Sequence, residues 1–258
     1  MSNKTNYSYV GISFVVLVFG ILFVPKIIDR LSNEDVIRNE SRSESVSGTE
    51  PESKDVNNTA EGKEKLPFII AYGEPKKVPE FSFTDQNGKT ITNKDYLGKV
   101  YVVEFFFSTC PTICPRMNAN LVDIQNEFDG LENFGMASFT INPEYDTPEV
   151  LKAYAEHHGV KNENWHFMTG AEDDIYNLAN TGFNLYTNKN GEVEGGFEHS
   201  GNFALIDKDG YIRSRLDESG NPIIYYRGTV SIEEGINDDG EKEEITILKE
   251  DIAKLLKE

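Results

Sequence analysis

The only two cysteines of this 258-residue chain, Cys110 and Cys114, fall in the stretch Ser108-Thr109-Cys110-Pro111-Thr112-Ile113-Cys114-Pro115. Two thiols so close can close a disulfide or, as thiolates, hold a soft metal ion. Pro115 has no N–H to give to a helical ladder, so it belongs among the first-turn positions, and a helix cannot begin much before Thr112. Both sulfurs then lie at a helix N-terminus, where unpaired amides and the positive end of the dipole favour thiolates. The i, i+4 spacing stacks them on one face with Cα atoms roughly 6 Å apart, inside the window for a disulfide. A purely structural bridge is disfavoured, because closing so short a loop removes little unfolded-state entropy.

The surrounding elements follow from hydrophobic pattern. Phe81-Ser82-Phe83 and Thr90-Ile91 flank the turn Asp85-Gln86-Asn87-Gly88 as a β-hairpin. Val100 to Phe107 is almost continuously apolar, as a strand buried on both faces should be. The cysteine helix follows, with Met117, Leu121, Ile124 and Phe128 at helical spacing and Asp129-Gly130 as its end. Met136 to Ile141 is a second buried strand. Thr147 as N-cap and Pro148 at the first helical position start a helix that runs from Val150 to His158. A third strand (Trp165–Thr169), a helix over Glu172–Ala179 and a turn at Asn188-Lys189-Asn190-Gly191 come next. A last hairpin joins Phe203–Ile206 to Tyr211–Arg213 through Asp207-Lys208-Asp209-Gly210. Asp217 to Glu244 is polar and irregular, and Ile245 to Leu256 is an amphipathic helix. A hairpin, then β-α-β, then α, an antiparallel hairpin and a final α is the order of a thioredoxin-like α/β sandwich. In that architecture the loop after the first central strand carries the reactive sulfur, and Cys110 falls there.

Of the four histidines, His157 and His158 sit among Lys and Glu on a solvated helix face, and His166 between Trp165 and Phe167 reads as a strand-edge residue. His199 differs. It follows Gly195-Gly196 and precedes the Phe203–Ile206 strand, in the loop that faces the sulfurs in a thioredoxin-like fold. Dithiol oxidoreductases of this fold place a cis-proline there, but no proline occurs between Pro148 and Pro222. A metal-binding group stands where a peptide-guiding one would be.

The rest of the chain concerns location. From Tyr9 to Ile28 the sequence is almost wholly apolar, and about 20 residues match a hydrocarbon core of roughly 30 Å, so this run reads as an uncleaved transmembrane anchor after a tail of residues 1–8. Lys4 on one side and Lys26 and Arg30 on the other leave charge bias unable to choose an orientation. Residues 29–65, rich in Ser, Glu, Asn and Lys, read as a disordered linker, and the folded domain as residues 66–258. A net charge of −19 argues against a nucleic-acid partner and serves solubility.

These motifs together resemble one family, the Sco (SenC) copper-binding proteins of respiratory oxidase assembly. Cys110-Pro-Thr-Ile-Cys114-Pro115 is similar to its Cys-x-x-x-Cys-Pro, Asn142-Pro143-Glu144 through Asp146-Thr147-Pro148-Glu149 to its Asp-Pro-Glu-x-Asp-Thr-Pro, and Glu198-His199-Ser200 to its Asp-His-Ser. The resemblance covers about Phe81 to Thr229 and implies Cys110, Cys114 and His199 as copper ligands. Asn142 and Glu198 depart from the pattern. Glu198, in place of Asp, is expected behind the imidazole but must reach its partner differently. The resemblance further implies a single-pass protein of the bacterial inner membrane with its domain on the periplasmic side, serving the CuA-bearing subunit of a cytochrome oxidase or another copper protein. Soft thiolates suit Cu(I), and an added imidazole extends the site towards Cu(II). A closed zinc site wants a fourth ligand, and the sequence offers none. The competing class is a thiol–disulfide oxidoreductase, with Cys110 attacking and Cys114 resolving; a peroxidase lacks its Thr-and-Arg-assisted cysteine here.

Overall fold

The structure, a computed structural model, describes residues 65–258 together with Phe19. The chain divides into two units, Met1–Ala60 and Glu61–Glu258, and the elements that follow belong to the second. The expected anchor (apart from Phe19) and all but the last residue of the expected linker lie outside the described residues. Among the described residues no helix is long and apolar enough to cross a membrane.

The unit begins with a small hairpin, β1 (Ile70–Ala71) and β2 (Glu74–Pro75), followed by a second, β3 (Ser82–Asp85) and β4 (Thr90–Thr92). Then come β5 (Val100–Phe106), helix α1 (Cys114–Glu127), β6 (Phe134–Thr140), α2 (Pro148–His157), β7 (Trp165–Thr169) and α3 (Glu172–Asn177). Short strands β8 (Thr187–Lys189) and β9 (Phe197–His199) form a separate ribbon. β10 (Asn202–Ile206), β11 (Ile212–Arg213), β12 (Tyr226–Arg227) and α4 (Ile245–Lys257) complete the chain. The main sheet runs β11-β10-β5-β6-β7-β3-β4, with β12 also paired to β10. The three central strands β5, β6 and β7 are parallel, and both outer pairings, β10 on β5 and β3 on β7, are antiparallel. This is the thioredoxin-like arrangement expected from element order.

β5 and β6 are buried along their whole lengths, which is why each reads as a nearly unbroken apolar run. Alternate side chains build two cores. On one face Phe105 stacks on Phe139 and meets Phe183 edge-on; on the other, Phe106 packs against Tyr154 and Phe167. A polar thread runs through the second core, where the Trp165 indole donates to Ser138 Oγ (2.9 Å) and Ser138 donates to Glu104 Oε1 (2.6 Å). Glu104 Oε2 has no partner.

Four turns share one chemistry. At Asp85, Asp207, Asp217 and Asn237 the side-chain oxygen accepts amides two and four residues on, and the fourth residue is glycine at positive φ. The Asx contact holds the first half of the turn and glycine supplies the left-handed step that β-carbons resist.

Three expectations need correction. The segment Asp217–Glu244 is not irregular throughout: two of these turns lie in it, with bridges at Leu216–Pro222 and Ile236–Lys242, and Tyr226 of β12 is fully buried. The helix expected over Glu172–Ala179 ends at Asn177 and widens into a π-helical turn, Leu178–Phe183. The reversal expected at Asn188 falls later, because Thr187–Lys189 pairs with Phe197–His199. Asn190 takes over the turn, its Oδ1 accepting the Glu192 amide.

Burial holds the Glu104 carboxyl up at about 7, against the single hydrogen bond from Ser138. The unfolded chain ionises this group near its ordinary value while the folded one resists. Its contribution is therefore fully present below about pH 4.5 and lost as pH rises to about 7, a change of about 3 kcal/mol. Glu104→Gln should remove that slope. Urea unfolding of metal-free protein at pH 4.5 and pH 8 checks this, and parallel profiles for mutant and wild type would contradict it.

Candidate metal centre

α1 begins at Cys114, with Ile113 as its N-cap and Pro115 inside its first turn. Pro115 thus places Cys114 at the helix start, as expected. Cys110 lies in the preceding loop, not on a helix face, so the i, i+4 stacking does not apply. The loop folds back instead: Cys110 Sγ accepts the Cys114 amide at 3.5 Å and lies 3.7 Å from Thr112 Oγ1. The amides of the helix start meet the first sulfur, as expected from their lack of other partners.

The loop is fastened from outside. Asp146, fully buried, accepts the Ser108 amide (3.1 Å) and the hydroxyls of Ser108 and Thr140. One carboxylate ties the end of β5 to the end of β6. Thr147 caps α2 through its side chain, which accepts from the Val150 amide. The Asn142–Pro148 segment is thus a brace for the thiol loop, a role that its sequence motif marked without explaining.

The third donor comes from the β8–β9 ribbon. Phe197 packs on Phe107 with ring centroids 5.1 Å apart, and a Cβ on Gly195 (φ +88°) would come within 3.1 Å of both Phe107 and Pro111. Gly195 therefore allows the ribbon to close on the thiol loop. His199 Nε2 lies 3.1 Å from Cys114 Sγ. The Cys110 and Cys114 sulfurs and a His199 nitrogen all lie within 4.8 Å of one another, and among the described residues this is the one such group of three or more potential ligands. Both cysteines are free thiols. The site opens on a cleft of about 240 Å³ lined in part by Phe107, Ile113, Phe197 and Glu194.

The other expected residues are placed as follows. Glu198 turns away from the imidazole: its oxygens accept from Asn190 Nδ2 (2.9 Å) and Tyr186 OH (3.2 Å), so it braces the ribbon that bears His199. His166 Nδ1 lies 3.1 Å from Asp85 Oδ2, so this histidine has its own partner, but β7 lies between β6 and β3 and is not the edge strand expected. His157 is exposed, whereas His158 is half-buried against Tyr154.

The two thiols are electrostatically unlike. Cys110 is held down at about 3, first by the Cys114 thiol that donates to it, with His199 and the amides of Cys114 and Thr112 adding, and its partial burial opposing. Cys114, with no exposed surface, is pushed far up by burial and by sharing its proton with the neighbouring thiolate. The arrangement is one nucleophilic thiolate, one proton-bearing thiol and one imidazole. Two soft donors and one borderline donor, with Cys110 and His199 lining a cleft, fit a soft or borderline metal of low coordination number.

A thioredoxin-like domain with a converging Cys–Cys–His set in place of a plain dithiol defines the class. The SCO1/SenC family model matches residues 71–232, and the chain belongs to that family. The SCO1 protein homolog of Bacillus subtilis (strain 168) is 33% identical over 139 residues, 53% of this chain and 71% of that protein. A SCO1/SenC family lipoprotein from Bacillus anthracis str. Ames is 27% identical, with 70% of this chain and 95% of that one covered and a TM-score of 0.58. BsSco, described as having a disulfide switch and as a member of the Sco family of cytochrome c oxidase assembly proteins, shares the fold at 24% identity and a TM-score of 0.58, over 75% of this chain and 98% of its own.

If Cys110 carries the thiolate, its alkylation by iodoacetamide in metal-free protein should proceed at pH 5.5 at close to its pH 8 rate, with Cys114 unmodified until the protein unfolds. Mass spectrometry of the modified peptides reads both. A Cys110 rate that climbs about tenfold per pH unit up to the ordinary thiol range would contradict the assignment.

Proposed function

We propose that this protein binds one copper ion through Cys110, Cys114 and His199 and carries it for assembly of the CuA centre of a cytochrome oxidase. The observation that carries the reading is the convergence of two free sulfurs and one imidazole nitrogen within 4.8 Å, with Cys110 and His199 lining a cleft and Cys114 buried behind them. Membership of the SCO1/SenC family supports it. Thiolates satisfy Cu(I), the imidazole widens the range to Cu(II), and an open three-donor site can pass the ion on by ligand exchange with an incoming thiolate. In binding, Cys114 gives up the proton that Cys110 lacks. Copper is cargo in this reading. The run Tyr9–Ile28 would anchor the chain in the bacterial inner membrane, and residues 29–65 would let the domain reach its client on the periplasmic side.

A second reading has support in the split between the thiols. A low-pKa Cys110 with a protonated Cys114 beside it suits a dithiol reductase, in which the Cys110 thiolate attacks a disulfide and Cys114 then displaces the leaving chain. The free pair can itself close to a Cys110–Cys114 disulfide when oxidised.

His199 separates the two. In the copper-carrying reading His199→Ala abolishes the visible Cu(II)–thiolate absorption while Cu(I) persists in weakened form, and Cys114→Ser abolishes chelator-resistant Cu(I). A reductase would keep its turnover of a disulfide substrate in His199→Ala. A full Cu(II) spectrum in that mutant, with disulfide turnover by wild type at thioredoxin-like rates, would overturn the copper reading in favour of the second.

A further inference from the structure

A second cleft, of about 810 Å³, lies between the end of β1, the segment from Lys76 into the start of β3, and the π-helical turn. It shares no lining residue with the thiol cleft, and its size is that of small-molecule sites. Its floor is apolar: Phe81 and Leu178 are buried, and Pro79 closes on the π-helical turn at Gly182, where a Cβ would come within 3.0 Å of the proline ring. π-Helical turns are rare and concentrate at functional sites. Here the turn and the last residue of α3 form one wall and present Thr181 and Asn177.

The rim carries three lysines, Lys76, Lys77 and Lys94. Lys189, Lys249 and Lys254 all have carboxylate partners, and Lys77 lies over the Tyr211 ring at 5.2 Å. The ammonium groups of Lys76 and Lys94, both lining this cleft, have no ion-pair or hydrogen-bond partner among the described residues. Lys76 is half-buried, and desolvation lowers its pKa. Glu80 and Asp174 line the same cleft, and neither ion-pairs with either lysine. An unpaired, partly desolvated ammonium is a costly arrangement that an anionic guest would relieve locally, even in a chain of net charge −19.

We propose that this cleft binds an amphipathic anion, with a phosphate or carboxylate head held by Lys76 and Lys94 and a short apolar body lying over Phe81 and Leu178. The neutral groups of Asn177 and Thr181 complete the head's hydrogen bonds. The guest is a soluble organic anion or the head region of an anionic lipid, two sources of one chemistry.

The test is acetylation of lysines in the full chain, held in zwitterionic nanodiscs and read by mass spectrometry, with hexyl phosphate as the soluble probe. At a probe concentration roughly ten times its dissociation constant, acetylation of Lys76 and Lys94 should slow about tenfold while that of Lys249 does not change. Inorganic phosphate, which cannot use the apolar floor, should protect at much higher concentration only. Lys76→Gln should abolish the protection of Lys94. Nanodiscs that contain phosphatidic acid form the second arm: protection there without added probe assigns the lipid source, and protection by hexyl phosphate alone assigns the soluble one. Equal acetylation with and without either, or slowing that includes Lys249, would overturn the proposal.

Discussion

The loop that carries the first thiol is held at its start by a carboxylate 38 residues away in sequence. Asp146, with no exposed surface, accepts one amide and two hydroxyls from the ends of two adjacent parallel strands. A buried carboxylate is tolerable only where donors replace its lost hydration, and removing one such partner leaves the rest uncompensated. The loop can be short and still rigid because of this contact. Its rigidity lets Cys110 turn back over the helix start and take the Cys114 amide, and the thiol asymmetry follows from that geometry.

The second constraint is the closeness of the β8–β9 ribbon to the same loop. His199 reaches Cys114 across 85 residues of chain, so the ribbon must be seated accurately without belonging to the main sheet. Phe197 on Phe107 supplies apolar area, Gly195 supplies clearance, and Glu198 fixes the ribbon internally through Asn190 and Tyr186. The remote end of the domain is fastened in a comparable way. The buried Arg213 donates to the Leu66 carbonyl, Asp207 and Glu258 and lies 4.1 Å over the Phe68 ring, so the first and last described segments meet on one guanidinium. Asp251 on α4 takes Arg215 and the Tyr226 hydroxyl, which is why the polar segment before α4 is ordered.

Local chemistry made much of this legible in the sequence. Unbroken apolar runs marked β5 and β6, Pro115 and Thr147-Pro148 marked helix starts, and Asp-x-x-Gly marked the turns at Asp85 and Asp207. The same signature at Asp217 and, with Asn, at Asn237 was available to correct the reading of that segment, but polar composition masked it. The candidate site was legible as residue types because cysteine is so scarce here and because a histidine stands where a proline is usual in the fold. What local pattern could not give was long-range: the brace by Asp146, the direction of the Glu198 carboxylate, the loop position of Cys110 and the widening of a helix at Leu178. Each is decided by a partner at least eight residues away or by packing against another element.

In the proposed site two sulfurs and one imidazole hold one copper ion. X-ray absorption spectroscopy at the copper edge of Cu(II)-loaded wild-type protein, with His199→Ala alongside, tests it most directly. Two sulfur scatterers and one imidazole are expected in wild type, with the imidazole signature lost in the mutant. A copper environment of nitrogen and oxygen alone, or an imidazole signature that survives the mutation, would contradict it.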